Sequence, residues 1–507
     1  MVKLGLTRTI KLQRKVPFMY EIILQCLTQN LEGFAEKISK TLTTKKDASD
    51  LAIGVKEGTD EMGRNIMTML FETMDDVIKN EPGRSDRYEV VHAGNSNTLL
   101  CCLGSFSYKR TYYRDKKTGD YIYLCDQQFG IEPKDKTMVD SKAQVLEEAV
   151  ETSYRKGGLN ASVQDSLSKG SVKNLIHGLV VEMPKPEVKE KKKIKILHIN
   201  ADEDHVAAQF WNVKGDLKRN EDGRKSNTII SKLVYVYEGT ERESPTSKRW
   251  KLINPHYFSG LYEGERNQDL WLEVADYIDA HYEMDYIETV YLCGDGANWI
   301  KQGLSWINKS VFVLDKFHLK KYLQKSVSHM GEQADIMKQM IEDELSFEDK
   351  VAINDIYKQL KDFAESDNKR EEIEASRRYI INNWNGITIY NTKRHEITGC
   401  SAEGHVSHVL SSRMSSRPLG WSKKGADNMA RLRAFAWNGG NVYNLLMYRK
   451  YKEKQEERDV ERDTIVKRAR DRIAKRNTSI SHSLGALDSG KVNWLHEMMK
   501  GIRGICG

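Results

Sequence analysis

An apolar run, Val290-Tyr291-Leu292-Cys293, delivers Asp295 between Gly294 and Gly296 onto the start of a helical segment. A strand ending this way sets a carboxylate at the C-terminal edge of a sheet, where open α/β sheets bind ligands. The flanking glycines leave room beside it. Two roles fit such an aspartate: metal ligand, or cap of the next helix. A second acidic cluster, Asp202-Glu203-Asp204-His205, follows the alternating run Ile194-Lys195-Ile196-Leu197-His198-Ile199. The alternation puts Asp202 nearer the strand end, and Asp204 is the alternative first ligand. A third group, Asp315-Lys316-Phe317-His318, follows Val311-Phe312-Val313-Leu314. Further on, Glu403 opens a helix that also carries His405 and His408 and runs into a Ser/Arg-rich loop with Arg413 and Arg417, a phosphate-contacting pattern.

Two carboxylates brought close together repel unless a cation lies between them. Mg²⁺, or Mn²⁺ in its place, takes oxygen ligands and keeps positions for water and phosphate, so two or three carboxylates from separate elements suffice. Two such ions about 4 Å apart stabilise the attacking and leaving oxygens of an in-line phosphoryl transfer. That chemistry needs a third carboxylate besides Asp202 and Asp295. His405 and His408 share a helical face, yet no matching Cys or His pair completes a zinc site; a supporting or DNA-facing role fits them better. His318 either steadies the site or a DNA strand, or caps and packs.

These residues require a sheet. Ile194–Ala201 reads as its first strand, Thr228–Tyr237 as the second, and a short third is expected near Trp250–Leu252. A helix over Gln268–Tyr282, the Asp295 strand, a helix over Ala297–Ile307 and the strand Val311–Leu314 complete the series. The order βββαβαβ is that of the ribonuclease H fold, an α/β fold with a mixed sheet in which the first and fourth strands are neighbours. That adjacency brings Asp202 to Asp295. Helical spacing from Leu319 through Phe363 predicts an all-helical insertion before Glu403 returns the chain to the sheet.

Upstream, amphipathic helices are expected in the first ninety or so residues, notably Glu61–Ile78. Strand-like runs at Thr98–Arg114 and Gly119–Cys125, split by the turn signal Asp115–Gly119, predict an antiparallel ribbon presenting Lys109, Arg110, Arg114 and several tyrosines. Basic and aromatic residues interleaved in this way suit phosphates and bases. Helices at Ala143–Tyr154, Ala161–Leu167 and Ser168–Ile176 resemble a helix-turn-helix, with Lys169 and Lys173 at the start of the recognition helix; an ordinary helical hairpin gives the same pattern. Met183–Lys193, rich in proline and charge, reads as a linker.

A chain of 507 residues exceeds one core, and Lys+Arg outnumber Asp+Glu by 80 to 73, a bias compatible with nucleic acid. The 7 cysteines lack paired metal-ligand spacing, as fits reduced thiols in a cytoplasm. No apolar run nears the roughly 18 residues that span a bilayer, so no membrane association is expected.

The strings Ala201-Asp202-Glu203-Asp204-His205-Val206, Gly294-Asp295-Gly296, Asp315-x-x-His318 and Ala402-Glu403-Gly404-His405-Val406-Ser407-His408, with Ser415-Ser416-Arg417-Pro418 behind them, resemble the Mutator-like DDE transposases. Within that group they are similar to the bacterial insertion-sequence transposases of the ISLre-two type, and the Arg110-Thr111-Tyr112-Tyr113 ribbon fits as well. The resemblance implies a metal-dependent triad, Asp202, Asp295 and Glu403, that nicks transposon ends and joins the freed 3′ hydroxyl to target DNA. It implies Asp204, Asp315, His318 and His405 in support, and a homo-oligomer acting on DNA at the bacterial nucleoid. The expected organisation is an N-terminal helical region (1–95), ribbon and helix-turn-helix-like DNA-binding region (96–183), linker (184–193), first catalytic part (194–318), helical insertion (319–393), last catalytic part (394–440) and basic helical C-terminal region (441–507). Two alternatives share these residues: a non-transposing metal-dependent nuclease of ribonuclease H fold, and a DNA-binding protein without chemistry.

Overall fold

The computed structural model describes residues 24, 27–44, 47–162, 164–182, 190–209, 218–219, 225–417 and 419–483. Helix α1 (Ala48–Lys79) is started by Asp47, whose side chain accepts from the Ser49 amide at 2.6 Å. The helix lies against a small antiparallel sheet of β1 (Tyr88–Cys101), β2 (Gly104–Asp115) and β3 (Tyr121–Ile122), with Phe71, Leu99, Phe106 and Tyr108 in the core between them. The main hairpin turns at Cys102-Leu103, since Cys101 pairs with Gly104 and Leu99 with Phe106. The expected strand Gly119–Cys125 shrinks to β3 because Leu124 begins a helix, α2 (Leu124–Phe129). Asp126 of α2 is drawn inward by the Tyr108 hydroxyl at 2.6 Å and by an ion pair with Arg110.

Helices α3 (Val139–Glu151), α4 (Tyr154–Leu159) and α5 (Lys169–Gly178) follow. Among the described residues of the middle helix expected over Ala161–Leu167, none is helical. The Leu167 amide instead bonds back to the Gly158 carbonyl at 2.8 Å, closing a loop before Ser168 caps α5.

The central sheet has five strands: β4 (Ile196–Ala207), β5 (Thr228–Tyr237), then, beyond a hairpin extension of β6 (Gly239–Arg242) and β7 (Trp250–Ile253), β8 (His256–Gly260), β9 (Thr289–Gly294) and β10 (Ser310–Leu314). Its order is β8-β5-β4-β9-β10, with β4 and β8 antiparallel to β5, and β9 parallel to both β4 and β10. The run at Trp250–Leu252 therefore makes the hairpin extension, and the sheet's third strand is the following one. Nor does the first strand stop at Asp202: β5 stays paired with it to Ala207↔Thr228. Alternation along β4 buries Leu197, Ile199 and Ala201 with Trp271, Val274 and Ile278 of α6 (Asn267–His281). His198, Asn200, Asp202 and Asp204 occupy the other face.

That other face is covered from downstream. Helices α7 (Lys316–Val327), α8 (Ala334–Phe347), α9 (Lys350–Asp362), α10 (Asp367–Asn382) and α11 (Trp384–Lys393) share a core of Leu323, Ile341, Ile353, Leu360, Ile373 and Ile380. The short α12 (Ala402–Val406), a π-helical turn at Ser407–Ser411 and α13 (Lys423–Trp437) follow. Residues up to Leu445 form one compact unit. A second begins at Leu446, and α14 (Val442–Ser483) supplies its described part. No described helix is long and apolar enough to cross a membrane.

Candidate active site

The parallel register between β4 and β9 runs from Ile196↔Thr289 to Asn200↔Cys293. Asp202 and Asp295 each lie two residues beyond its last pair, on neighbouring strands. Close strand approach is enforced by Gly294, where a Cβ would meet the Ala201 carbonyl at 2.9 Å and Ile300 at 2.7 Å. Gly296 has φ +91°, and a Cβ there would come within 2.5 Å of Asn383 Oδ1. The space at both glycines is thus filled by the protein itself, a correction to the expectation that it admits a ligand. Asp295 Oδ1 accepts from the Ala297 amide at 2.8 Å, while its backbone carbonyl accepts from the Tyr379 hydroxyl at 2.6 Å. That bond closes an Asx turn ahead of the short helix over Asn298–Lys301 and does not cap it, since the cap residue is Ala297 and makes no side-chain bond.

Asp202 is half-buried and its Oδ1 accepts from the Glu203 amide at 2.8 Å. Burial pushes its pKa up to about 6; that hydrogen bond and His318 oppose the rise, and the Asp295 charge adds to it. His318 has its pKa raised as well, toward the imidazolium. Its 2.9 Å hydrogen bond to Asp315 acts first, against burial, and the charges of Asp315, Asp202 and Asp295 add. Asp315 also caps α7 through the Phe317 amide at 3.0 Å. The structure thus brings Asp202, within β4, near Asp295, Asp315 and His318, which lie just past the ends of β9 and β10.

Asp204 lies on the same face of β4 but is 7% exposed, and its Oδ1 accepts from Ser415 Oγ at 2.8 Å. Its engagement with the Ser415 loop separates it from the Asp295 side. Glu403 is exposed in the first turn of α12, which crosses β4. Among the described residues, no three His, Cys, Asp or Glu side chains stand close enough to hold an ion. Glu403 is therefore not gathered with the aspartate pair. His405 turns to the Tyr257 hydroxyl, 3.0 Å from its Nδ1, and burial followed by His408 pushes its pKa down to about 4. This neutral ring and the exposed His408 make no zinc pair.

Of the expected DNA contacts, Lys109, Arg114, Lys169, Lys173 and Arg417 are exposed. Two are corrected. Successive strand residues point to opposite faces, so Arg110 cannot share the face of Lys109; it pairs with Asp126, and its guanidinium lies 3.6 Å from the Tyr123 ring centre. Arg413 is 5% exposed, bonds the Ala149 carbonyl at 3.0 Å and lies 4.9 Å from the Trp421 ring centre, its pKa lowered to about 10 mainly by burial.

Two features escape sequence reasoning. Arg433, 1% exposed in α13, donates to the carbonyls of Val150 and His408 at 2.7 Å each and to that of Val409. Its flanking Leu432 and Ala434 hint at burial, without showing a partner. The second is a cavity of about 640 Å³ lined by Tyr237, Trp250, Tyr257, Thr398, Ser401 and His405, among others. Trp250 and Tyr257 read as ordinary strand residues, so the sequence carried no signal for it.

Residues 43–454 match the model of an uncharacterised protein family, UPF0236. A UPF0236 protein of Caldanaerobacter subterraneus subsp. tengcongensis is 38% identical over 422 residues, covering 83% of this chain and 85% of the relative. Another from that organism, whose one name joins eleven loci, is 34% identical over 492 residues and covers 95% and 97%. A Streptococcus gallolyticus UPF0236 protein from a vanSb 3′ region is 23% identical, covering 80% and 86%. Among solved structures, the Drosophila P element transposase strand transfer complex aligns over 66% of this chain and 84% of that one, at 11% identity and a TM-score of 0.18, too low to define a shared fold.

Proposed function

The chain belongs to the UPF0236 family, and on that footing we propose that it is a metal-dependent DNA transposase of the DDE kind, built on a ribonuclease H-like sheet. The observation that carries the reading is the strand order β8-β5-β4-β9-β10, with Asp202 on β4 and Asp295 just past β9, each two residues beyond the last pair of the register between those strands. Three antiparallel strands followed by two parallel ones is the arrangement that the ribonuclease H order requires. A relative with eleven loci under one name supports a gene carried in many copies within a genome, as a mobile element is.

The oxygen donors of Asp202 and Asp295 fit Mg²⁺ or Mn²⁺, since the elevated Asp202 carboxyl beside a second carboxylate is a pair that a cation relieves. Those two residues would hold the ion; Glu403, the third member of the proposed triad, stands apart from them here and would have to approach with α12 to complete the set. Bound there, the metal supplies charge stabilisation to the attacking and leaving oxygens. The chain's own residues do the rest. Tyr379 anchors the backbone of Asp295, the Asp315–His318 pair sets an imidazole near both aspartates, and Ser415 keeps Asp204 turned aside. Lys109, Arg114, Lys169, Lys173 and Arg417 meet the phosphates of transposon ends and target, and a homo-oligomer brings two ends together. In this reading the protein works in the bacterial cytoplasm.

The test is strand transfer. Purified protein with Mg²⁺ and labelled duplexes spanning the DNA that flanks its gene should yield joined products, and Asp202→Asn, Asp295→Asn and Glu403→Gln should each abolish them. Joining that persists in the Asp295→Asn protein would sink the triad, while cleavage without joining selects the nuclease. A DNA-binding protein without chemistry has one observation in its favour, the position of Glu403 apart from the aspartate pair. Binding with neither cleavage nor joining would select it.

A further inference from the structure

We propose that the cavity beside α12 receives one unstacked nucleobase of the DNA strand being cut, an inference that rests on the reading above. The cavity holds about 640 Å³ between the β6–β7 hairpin, the end of β5, residues Thr398–Ser401 and His405. Four of its lining residues present flat rings, Tyr237, Trp250, Tyr257 and His405, beside the aliphatic Leu252 and Pro255. Trp250 is 60% exposed, more than Trp306 at 39% or Trp437 at 42%. Folding therefore leaves this indole's surface largely unused. Arg242 backs it, with the guanidinium 5.0 Å from the ring centre.

The polar groups among these rings are held in place by internal partners. The Tyr237 hydroxyl and Thr398 Oγ1 are 2.8 Å apart, and Ser401 Oγ lies 2.8 Å from the Tyr235 hydroxyl. The Tyr237 hydroxyl also reaches Asn200 Oδ1 and the Gly399 carbonyl at 3.4 Å each, and Thr398 Oγ1 lies 3.5 Å from His198 Nδ1, so among the described residues Ser401 Oγ is the hydroxyl with one partner and further donor or acceptor capacity. His405 uses Nδ1 toward Tyr257, so Nε2 is the nitrogen left to a ligand. Planar walls with a few fixed donors and acceptors are what enzymes use to hold a base taken out of the helix, reading its edge while stacking on its face. Placement agrees: Ser401 and His405 bracket Glu403 in the chain. Tyr237 pairs with His198, four residues back along β4 from Asp202, so the base received belongs to a nucleotide several positions from a phosphate at the carboxylates. At the rim, Lys251 pairs with Glu241 at 3.0 Å and keeps 55% of its side chain exposed, available to that nucleotide's phosphate.

The experiment is a binding cycle run without divalent metal, on full-length wild type, Trp250→Ala and Trp250→Phe, using duplexes that span the flanks of the gene. Each duplex is prepared intact and with a single abasic site scanned across the junction. Stacking of a base on an aromatic ring typically gives about tenfold in affinity, so Trp250→Ala should bind intact DNA about tenfold more weakly and Trp250→Phe nearly as well as wild type. At one abasic position the wild type and Trp250→Ala should bind equally, because no base is left to stack. Equal binding of intact DNA by both proteins overturns the pocket. So does a Trp250→Ala defect that is the same at every abasic position. If wild type binds none of the duplexes, the transposase reading falls with it; binding that lacks the Trp250 pattern, with strand transfer intact, removes the pocket alone.

Discussion

Arg433→Met should be among the most destabilising single changes in the protein. The guanidinium is almost fully buried and supplies donors to three backbone carbonyls, those of Val150, His408 and Val409, together with Ser412 Oγ at 3.2 Å. Val150 stands in the last turn of α3, where carbonyls lack helical partners. His408 and Val409 lie in the π-helical turn, whose altered spacing redirects the usual i+4 bonds. Methionine keeps the stem of the side chain and removes every donor. Each buried acceptor left unsatisfied costs about 1–3 kcal/mol, so three cost roughly 3–6 kcal/mol after partial relaxation, a large share of a stability that is typically about 5–15 kcal/mol. The ion pair with the exposed Glu151 adds little to that sum. Urea unfolding followed by circular dichroism measures the loss. Hydrogen exchange should show it concentrated in residues 405–413 and 148–152, with Arg433→Lys falling between the two. A loss under about 1 kcal/mol, with exchange unchanged in both segments, would refute the reasoning that this arginine rather than packing holds the turn.

Two further outcomes are expected. Gly296→Ala forces a Cβ onto a residue with φ +91° and against Asn383, so it should cost about 1–3 kcal/mol and lower the melting temperature, whereas an unchanged melting curve would contradict the close approach. His198 and His256 are both held near pKa 4 by burial, against 6.5 for the ordinary imidazole, as is His405. The unfolded chain therefore takes up protons first, and the stability these rings contribute above pH 6.5 is lost as the pH falls toward 4. Asp202 runs in the opposite sense: its raised pKa favours the folded state on protonation, so its contribution improves as the pH drops through about 6. His256→Phe should flatten the acid slope by up to about 3 kcal/mol, read from urea midpoints between pH 7 and 4; an unaltered slope would count against burial as the cause.

The strands that carry the aspartates were legible because their chemistry is local. Leu197, Ile199 and Ala201 alternate toward one core, and Val290 to Cys293 form a short apolar run that only a strand buried on both faces explains. The choice of β8 over β7 as the sheet strand was not legible. Both runs are short and aromatic, and the outcome depends on the left-handed turn at Asn254, φ 49°, and on Asn438, whose side chain accepts from the Tyr257 amide at 2.8 Å and donates to its carbonyl at 2.9 Å. Arginines were opaque for the same reason. Nothing in residue type separates Arg417, which is exposed, from Arg413 and Arg433, whose carbonyl partners lie 264 and 283 positions away in the chain. Gly294 and Gly296 were read as making room, yet Ile300 and Asn383 take that room, and a sequence reveals that only through contacts it does not spell out.

Arg413 and Arg433 reach from beyond the helical insertion back to Ala149 and Val150, and Asn428 donates to the Ile176 carbonyl at 2.7 Å. These bonds attach α3 and α5 to α13 and the turn before it without help from the peptide that connects residues 182 and 190. The upstream helices are thus tied to the far end of the chain through main-chain carbonyls, so substitutions in α3 that spare its backbone leave the acceptors of both arginines in place.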